Sequence, residues 1–359
     1  MEDKKYLSLI KWITSQITEQ QLKSGDKFYT EGQLSEMFGI SRQTVRRAVG
    51  ELENKNILER RRGSGTFICA SDVEIERPKK TVGVISAIVN DYIFPSILKG
   101  IEQELSRIGY SMRLICTDNC PMKERSVLQT VILDDDICGL IIVPSKFTSY
   151  NPNMELFEKI AREQLPAIFL EHYYDAGFNC ITMDDTAIGR LAAEHLIKAG
   201  HKKIAGLFMY DVKCTHLRFK GYINTLERAS IEYNPQHVLW YTEESFYETL
   251  LNSPHRILDK LNECTALICS NDLYAMKIVK LFNEHNIGFP DDISIVSVDD
   301  SDLAELCHVP LTSISHPKEL FGIKAAENLI KIIEDPSFDA SFTFEPRLIQ
   351  RDSVKVINT

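Results

Sequence analysis

No stretch of these 359 residues approaches the run of about 20 apolar residues that a membrane-spanning helix needs. The opening residues, MEDKKYLSLIKW, lack the apolar core and small-residue cleavage site of a secretory leader, so a cytoplasmic location is expected. The nine cysteines are an odd number, and none stands in a CxxC pair or at zinc-finger spacing from a histidine. Neither a disulfide framework nor a structural metal is expected; reduced thiols packed as small hydrophobes are. GxxxxGK[ST], GxSxG and HExxH are all missing, so no phosphate loop, hydrolase nucleophile or zinc-protease site is visible. No cofactor is expected.

What is present is the composition of a soluble globular chain, 44% hydrophobic and 26% charged, long enough for two or three domains. The net charge of −10 is unevenly spread. Residues 1–70 hold twelve Lys and Arg against nine Asp and Glu, a net of +3, so the remainder carries −13. A basic head on an acidic body suits a polyanionic partner for the head alone. The polar segment ASDVEIERPKK (70–80) separates two rhythms and reads as a linker. The expected division is a head at 1–70, a linker at 71–80 and a body at 81–359.

After the linker, apolar runs alternate with amphipathic stretches, the pattern of an α/β fold with parallel sheet. Strand candidates begin at Thr81, Cys138, Pro166, Lys203, Ala266 and Ile293. Several are apolar at successive positions, as strands covered on both faces must be. Helices are expected over Ser96–Ile108, Thr186–Lys198 and Pro317–Ile333. Gly109, Gly200 and Gly288 each follow a helical pattern and are candidate left-handed caps.

In the head, EGQLSEMFG reads as a short helix with Leu34, Met37 and Phe38 on one face, and Gly39-Ile40 as a turn. Ser41 is placed to cap a second helix, on which Val45, Ala48, Val49 and Leu52 form an apolar stripe. The opposite face carries Gln43, Arg47, Gly50 and Asn54, flanked by Arg42, Thr44 and Arg46. One side anchors in a core and the other offers long donors to base edges, as a recognition helix requires. An ordinary solvated face would look similar. The following ILERRRGSGTFI sharpens the choice. It reads as two strands joined at Gly63-Ser64-Gly65, with Arg60, Arg61 and Arg62 before the tip. A basic β-wing beside a helix-turn-helix suits a minor groove or phosphate backbone.

In the body, polar residues recur at expected strand ends, where ligands bind in such sheets. They are Tyr92, Lys146, the pair Glu171-His172, Asn271-Asp272 and Asp299-Asp300, with Arg218 at the start of a helix. Carboxylates, an amide and cationic donors suit a polyhydroxylated ligand, and Tyr92 or Phe147 could cover its C–H face. Any one of these side chains could equally be a helix cap or surface group. Their repetition carries the expectation.

Two resemblances follow from these residues. YTEGQLSEMFGISRQTVRRAVGELENKNILERRRGSGTFI resembles the winged helix of the GntR family, with Asn56 where that family usually has Gly. This implies DNA contacts from Glu31, Arg42, Gln43, Thr44 and Arg46, and from the wing at Arg62, Gly63, Ser64, Gly65 and Thr66. The body is similar to the LacI/GalR sensor domain. The matching segments are CGLIIVPS, MDDTAIGRLAAEHLIKAGHKKIAGL, RFKGY, ICSNDLYAMKIVKLFNEHNIGFPDDISIVSVDDS, VPLTSISHP and RDS. That implies a two-lobed, doubly wound α/β domain like a periplasmic binding protein. It also implies effector contacts from Arg218, Asn271 and Asp299. Glu171 stands where that family often has Asp, and His316 where it often has Gln, as a further candidate contact. The pairing of the two modules resembles the arabinose-responsive repressor family of Gram-positive bacteria, which implies an L-arabinose effector.

The expectation is therefore a dimeric repressor that reads a pseudo-palindromic duplex and is released by a sugar. A regulator of another pentose or hexose, a metabolic enzyme with a DNA-binding head, and a sugar-transport protein are the competing readings. The last is opposed by the winged helix and the missing leader.

Overall fold

A computed structural model describes residues 6, 9–10, 12–13, 16, 22–54, 57–61, 64–69, 81–89, 93–146, 151–162, 165–171 and 177–357. Contacts divide the chain into two units, Met1–Lys79 and Lys80–Thr359. The expected linker lies outside the described residues.

The smaller unit is built from local signals that agree with one another. Thr30 caps α1 (Glu31–Phe38): its hydroxyl accepts from the Gln33 amide, and the Gln33 side chain accepts from the Thr30 amide. Gly39, at φ 59, ends the helix in a left-handed turn that costs glycine little. The Ser41 hydroxyl accepts from the Thr44 amide and opens α2 (Arg42–Asn54). Val45, Ala48, Val49 and Leu52 are buried as the stripe requires, against Leu9, Ile13, Phe28 and Leu34. Each large side chain so buried contributes about 1.5–3 kcal/mol. Met37 departs from expectation. It is 54% exposed, because the turn into α2 leaves only Leu34 of α1 fully under the core. Strands β1 (Leu58–Arg61) and β2 (Gly65–Ile68) pair antiparallel from Leu58↔Ile68 to Arg61↔Gly65 and form the wing.

The larger unit holds two six-stranded sheets, one per lobe. In the first lobe the strands are β3 (Thr81–Ser86), β4 (Ser111–Cys116), β5 (Ile137–Val143), β6 (Ala167–Leu170), β7 (Asn179–Met183) and β13 (Phe342–Phe344). Their order is β13-β7-β6-β5-β3-β4, all parallel. Helices α3 (Phe94–Arg107), α4 (Pro121–Ile132), α5 (Met154–Arg162) and α12 (Lys318–Glu334) go with this sheet. The second lobe contains β8 (Ile204–Met209), β9 (Val238–Tyr241), β10 (Ala266–Cys269), β11 (Ser294–Asp299), β12 (Thr312–Ser315) and β14 (Leu348–Ile349). Their order is β14-β12-β11-β10-β8-β9, with β14 alone antiparallel. It carries α6 (Asp185–Lys198), α7 (Lys213–Arg228), α8 (Glu243–Asn252), α9 (His255–Leu261), α10 (Asp272–Glu284) and α11 (Asp302–Leu306). Strands β8 and β11 are buried at every position, as helices on both faces dictate.

The six strands expected from apolar runs are all present. Strands β4, β7, β9, β12, β13 and β14 were not expected. β4 lies at a sheet edge, is largely exposed, and so lacks an apolar run. Gly109 and Gly200 take the left-handed conformation, at φ 81 and 96, but Gly288 does not. After α10 that position falls to Asn286, at φ 56.

The chain passes between the lobes three times: from β7 to α6, from β12 to α12, and from β13 to β14. Two helix pairs flank these passages. A Cβ on Gly100 of α3 would lie 2.1 Å from the Glu319 carbonyl, and one on Gly322 of α12 would lie 2.0 Å from that of Ile97. The pair α6 and α7 repeats this reciprocity: Gly189 meets the Arg218 carbonyl at 1.8 Å and Gly221 that of Thr186 at 2.0 Å. Glycine at these four positions lets the backbones touch.

Candidate functional site

The carboxyl ends of parallel strands in both lobes converge on one cleft of about 500 Å³. The first lobe contributes Asp118 and Asn119 after β4, Lys146 after β5 and Glu171 after β6. From the second come Arg218 on α7, Ser270 and Asn271 after β10, and Asp299 at the end of β11. Phe94, Tyr274 and aliphatic side chains supply apolar wall. The cleft thus brings together Lys146, Glu171, Arg218, Asn271 and Asp299 from the sequence expectations. Tyr92, His172 and Phe147 lie outside the described residues.

Arg218 is the best-held donor. It is buried, in the second turn of α7 and not at its start. Its Nε donates to Asp185 Oδ1 at 2.8 Å and its Nη1 to the Ser270 carbonyl at 2.7 Å. Burial pushes the Asp185 carboxyl up to about 7, against the opposing pull of the guanidinium. Asn271 caps α10, its Oδ1 accepting from the Tyr274 amide at 3.0 Å, so its amide nitrogen is the group left to offer a ligand.

Asp272 serves the frame. Fully buried, it accepts from the Ser297 hydroxyl, from the Ser301 amide at 2.7 Å and hydroxyl at 2.9 Å, and from the Ser313 hydroxyl at 2.7 Å. Burial, then the neighbouring Asp299, raises its carboxyl to about 6. Asp299 and Asp300 do not cap a helix. Both have left-handed backbones, at φ 101 and 46, and Lys318 Nζ donates to their two carbonyls at 2.7 and 2.8 Å. Asp300 turns its carboxylate to Arg351 at 2.7 Å, leaving Asp299 at the cleft.

Strained backbone concentrates here. Of seven non-glycine residues with positive φ among the described residues, five are Asp118, Asn119, Glu171, Asp299 and Asp300. Asp and Asn tolerate that conformation; Glu171, at φ 62, bears more of the cost.

His316 corrects an expectation. It does not line the cleft. Its side chain is 2% exposed, its ring lies against Phe321, and its Nε2 meets Glu171 Oε1 at 2.8 Å. It sits on the passage from β12 to α12, behind the carboxylate that does face the cleft. Sequence reasoning missed Asp185, Asp118, Asn119 and Glu243. A Thr-Asp-Asn-Cys turn after an edge strand was the available signal for Asp118 and Asn119.

In the head, Arg42 and Gln43 are exposed at the start of α2. The Thr44 hydroxyl meets that of Ser41 at 2.8 Å. Glu31 joins two arginines, accepting from Arg46 Nη2 at 2.9 Å and Arg60 Nη2 at 2.8 Å, and the Arg46 bond in particular holds its carboxyl below the usual range. The Arg47 guanidinium lies over the Tyr6 ring, 4.6 Å from its centre. Arg61 pairs with Glu59 at 2.9 Å and covers Phe67. Ser64 and Gly65 stand exposed at the wing tip, while Thr66 is half-buried. Arg62 and Gly63 lie outside the described residues. Among the described residues there is no cluster of three or more His, Cys, Asp or Glu able to hold a metal, and no helix long and apolar enough to cross a membrane.

Residues 5–68 match the family described as bacterial regulatory proteins, gntR family, and residues 193–354 match a periplasmic binding protein-like domain. The arabinose metabolism transcriptional repressor of Geobacillus stearothermophilus is 35% identical over 358 residues, covering 98% of each chain. Its counterpart in Halalkalibacterium halodurans is 35% identical, covering 97% of this chain and 96% of that one. A periplasmic binding protein/LacI transcriptional regulator from Alkaliphilus metalliredigens, solved with D-xylulofuranose, shares the body's fold. Its TM-score is 0.67 at 23% identity, over 77% of this chain and 99% of that one.

Proposed function

Because the chain belongs to the family of arabinose metabolism transcriptional repressors, we propose that it holds operator DNA with the winged helix and lets go when L-arabinose fills the cleft. The division of labour is a DNA-binding head at 1–70, a linker at 71–80, and an effector-binding and dimerising body at 81–359. The chain acts as a regulator and turns over no substrate.

The observation that carries the sugar reading is the charge balance of the cleft. Arg218 is met by Asp185, and Lys146 by Glu243 at 3.1 Å. Each cation already has a carboxylate beside it, which disfavours an anionic ligand relative to a neutral one. The Glu171 and Asp299 carboxylates, the Asn271 amide and Arg218 also line the cleft. Carboxylates accept from hydroxyls, and charge-assisted bonds of that kind are the strong ones. An uncharged polyol fits this set; a sugar phosphate does not. His316 acts through Glu171. On the DNA side, Arg42 and Gln43 reach base edges, and Glu31 holds Arg46 and Arg60 in place until phosphates compete for them.

Operator titration against L-arabinose, D-xylose, D-ribose and D-galactose tests this reading. L-Arabinose should weaken operator binding at least tenfold, and the other sugars far less. Gln43→Ala should lose operator affinity and keep sugar binding, while Arg218→Ala should do the reverse. Loss of both activities from either substitution would defeat the two-module assignment.

A further inference from the structure

Resting on the reading of the cleft as the effector site, we infer that the Lys146–Glu243 ion pair is a clasp between the lobes that governs how long the sugar is retained. The sequence marks Lys146 as a donor to the ligand. In the structure its ammonium faces the opposite lobe. Lys146 follows β5 in the first lobe, and Glu243 is the first residue of α8 in the second. Both line the cleft, and Nζ and Oε2 are 3.1 Å apart.

Exposure places the pair at the solvent end. The Lys146 and Glu243 side chains are 14% and 47% exposed, against 6% for Arg218 and 3% for Asp185. Each anchor is fixed within its own lobe. The Lys146 amide donates to Asn119 Oδ1 at 2.7 Å, and a capping box between Thr242 and Ser245 secures the start of α8. Separating the lobes therefore stretches this pair before it disturbs either anchor.

The surroundings reinforce the direction. Asp211, two residues beyond β8, keeps a buried Oδ1 without a hydrogen-bond partner. Burial raises its carboxyl, Lys146 pulls it down, and Glu244 and Glu243 push it up. One ammonium of the first lobe thus faces three carboxylates of the second. Opening the cleft takes that ammonium away from those carboxylates, so closure is electrostatically favoured. Salt must weaken that preference.

Sugar dissociation is to be followed by stopped-flow displacement on the full chain, with Lys146→Met, Glu243→Gln and the double variant. Circular dichroism melts check that each variant folds. The sugar is whichever of L-arabinose, D-xylose, D-ribose and D-galactose binds the parent protein most tightly. A sugar other than L-arabinose would overturn the effector identity and still test the clasp. Each single substitution should speed dissociation about fivefold, equivalent to about 1 kcal/mol. Association should change less than twofold. The double variant should be no faster than the quicker single, and the acceleration by salt seen in the parent should vanish. Losses that multiply in the double variant would mean that both side chains touch the sugar independently, and the clasp would be refuted. Unchanged dissociation in the singles would refute it too, and failure of all four sugars to bind the parent would remove both readings.

Discussion

Asp272 shows how one side chain can hold a site without entering it. Its carboxylate gathers hydroxyls from β11, β12 and the start of α11, and so fixes the strand ends that carry Asp299 and Asn271. All its donors are neutral, so burial outweighs them and the carboxyl rises from 3.8 to about 6. The folded protein therefore holds this proton more tightly than the unfolded chain. The contribution to stability is full below about pH 4 and is lost as pH climbs through about 6. Thermal melts between pH 4 and 7 should show the parent losing stability across that window relative to Asp272→Asn, which cannot titrate. Parallel curves for the two proteins would contradict this account. Residues of this kind were only half legible in the sequence. The pair Asn271-Asp272 stood out as a polar step after an apolar run. That Asn271 faces the cleft while Asp272 is buried in the frame is a matter of tertiary packing, which spacing does not record.

Elements were most legible where burial writes a simple pattern. Continuous apolar runs marked β5, β8 and β11, and four apolar positions on one face marked α2. The edge strand β4 was not legible, since exposure removes the pattern, and the cleft residues after it were missed with it. Helix pairing was invisible for another reason. Gly189 and Gly221 sit on helices where glycine costs about 1 kcal/mol relative to alanine, and only the crossing of α6 and α7 explains them. Gly189→Ala would drive a Cβ to 1.8 Å from the Arg218 carbonyl. Backbone must shift, and a loss of about 1–3 kcal/mol in stability is expected. Because the displaced segment carries Arg218, sugar affinity should fall at least tenfold as well. Chemical denaturation and calorimetric sugar titration check the two effects. A destabilised variant with parental sugar affinity would show that the helix contact does not set the guanidinium's position.

At the scale of the whole molecule, the two activities are bound by linkage. If sugar lowers operator affinity about 100-fold, operator must lower sugar affinity by the same factor, a coupling of about 3 kcal/mol. Sugar titrations with and without saturating operator measure this directly. Equal sugar affinities in the two would mean that release by sugar does not occur at equilibrium. The three passages between the lobes bear on the chain's birth as well as its use. Helix α12 supplies Phe321, Ala325 and Leu329 to the core of the first lobe, and β13 completes its sheet. Neither exists until residue 318 and beyond have been made. The nascent first lobe must therefore wait on the ribosome with one apolar face unsealed while all of the second lobe except β14 is synthesised. A product truncated before that point is two unfinished halves, with no sound lobe to salvage.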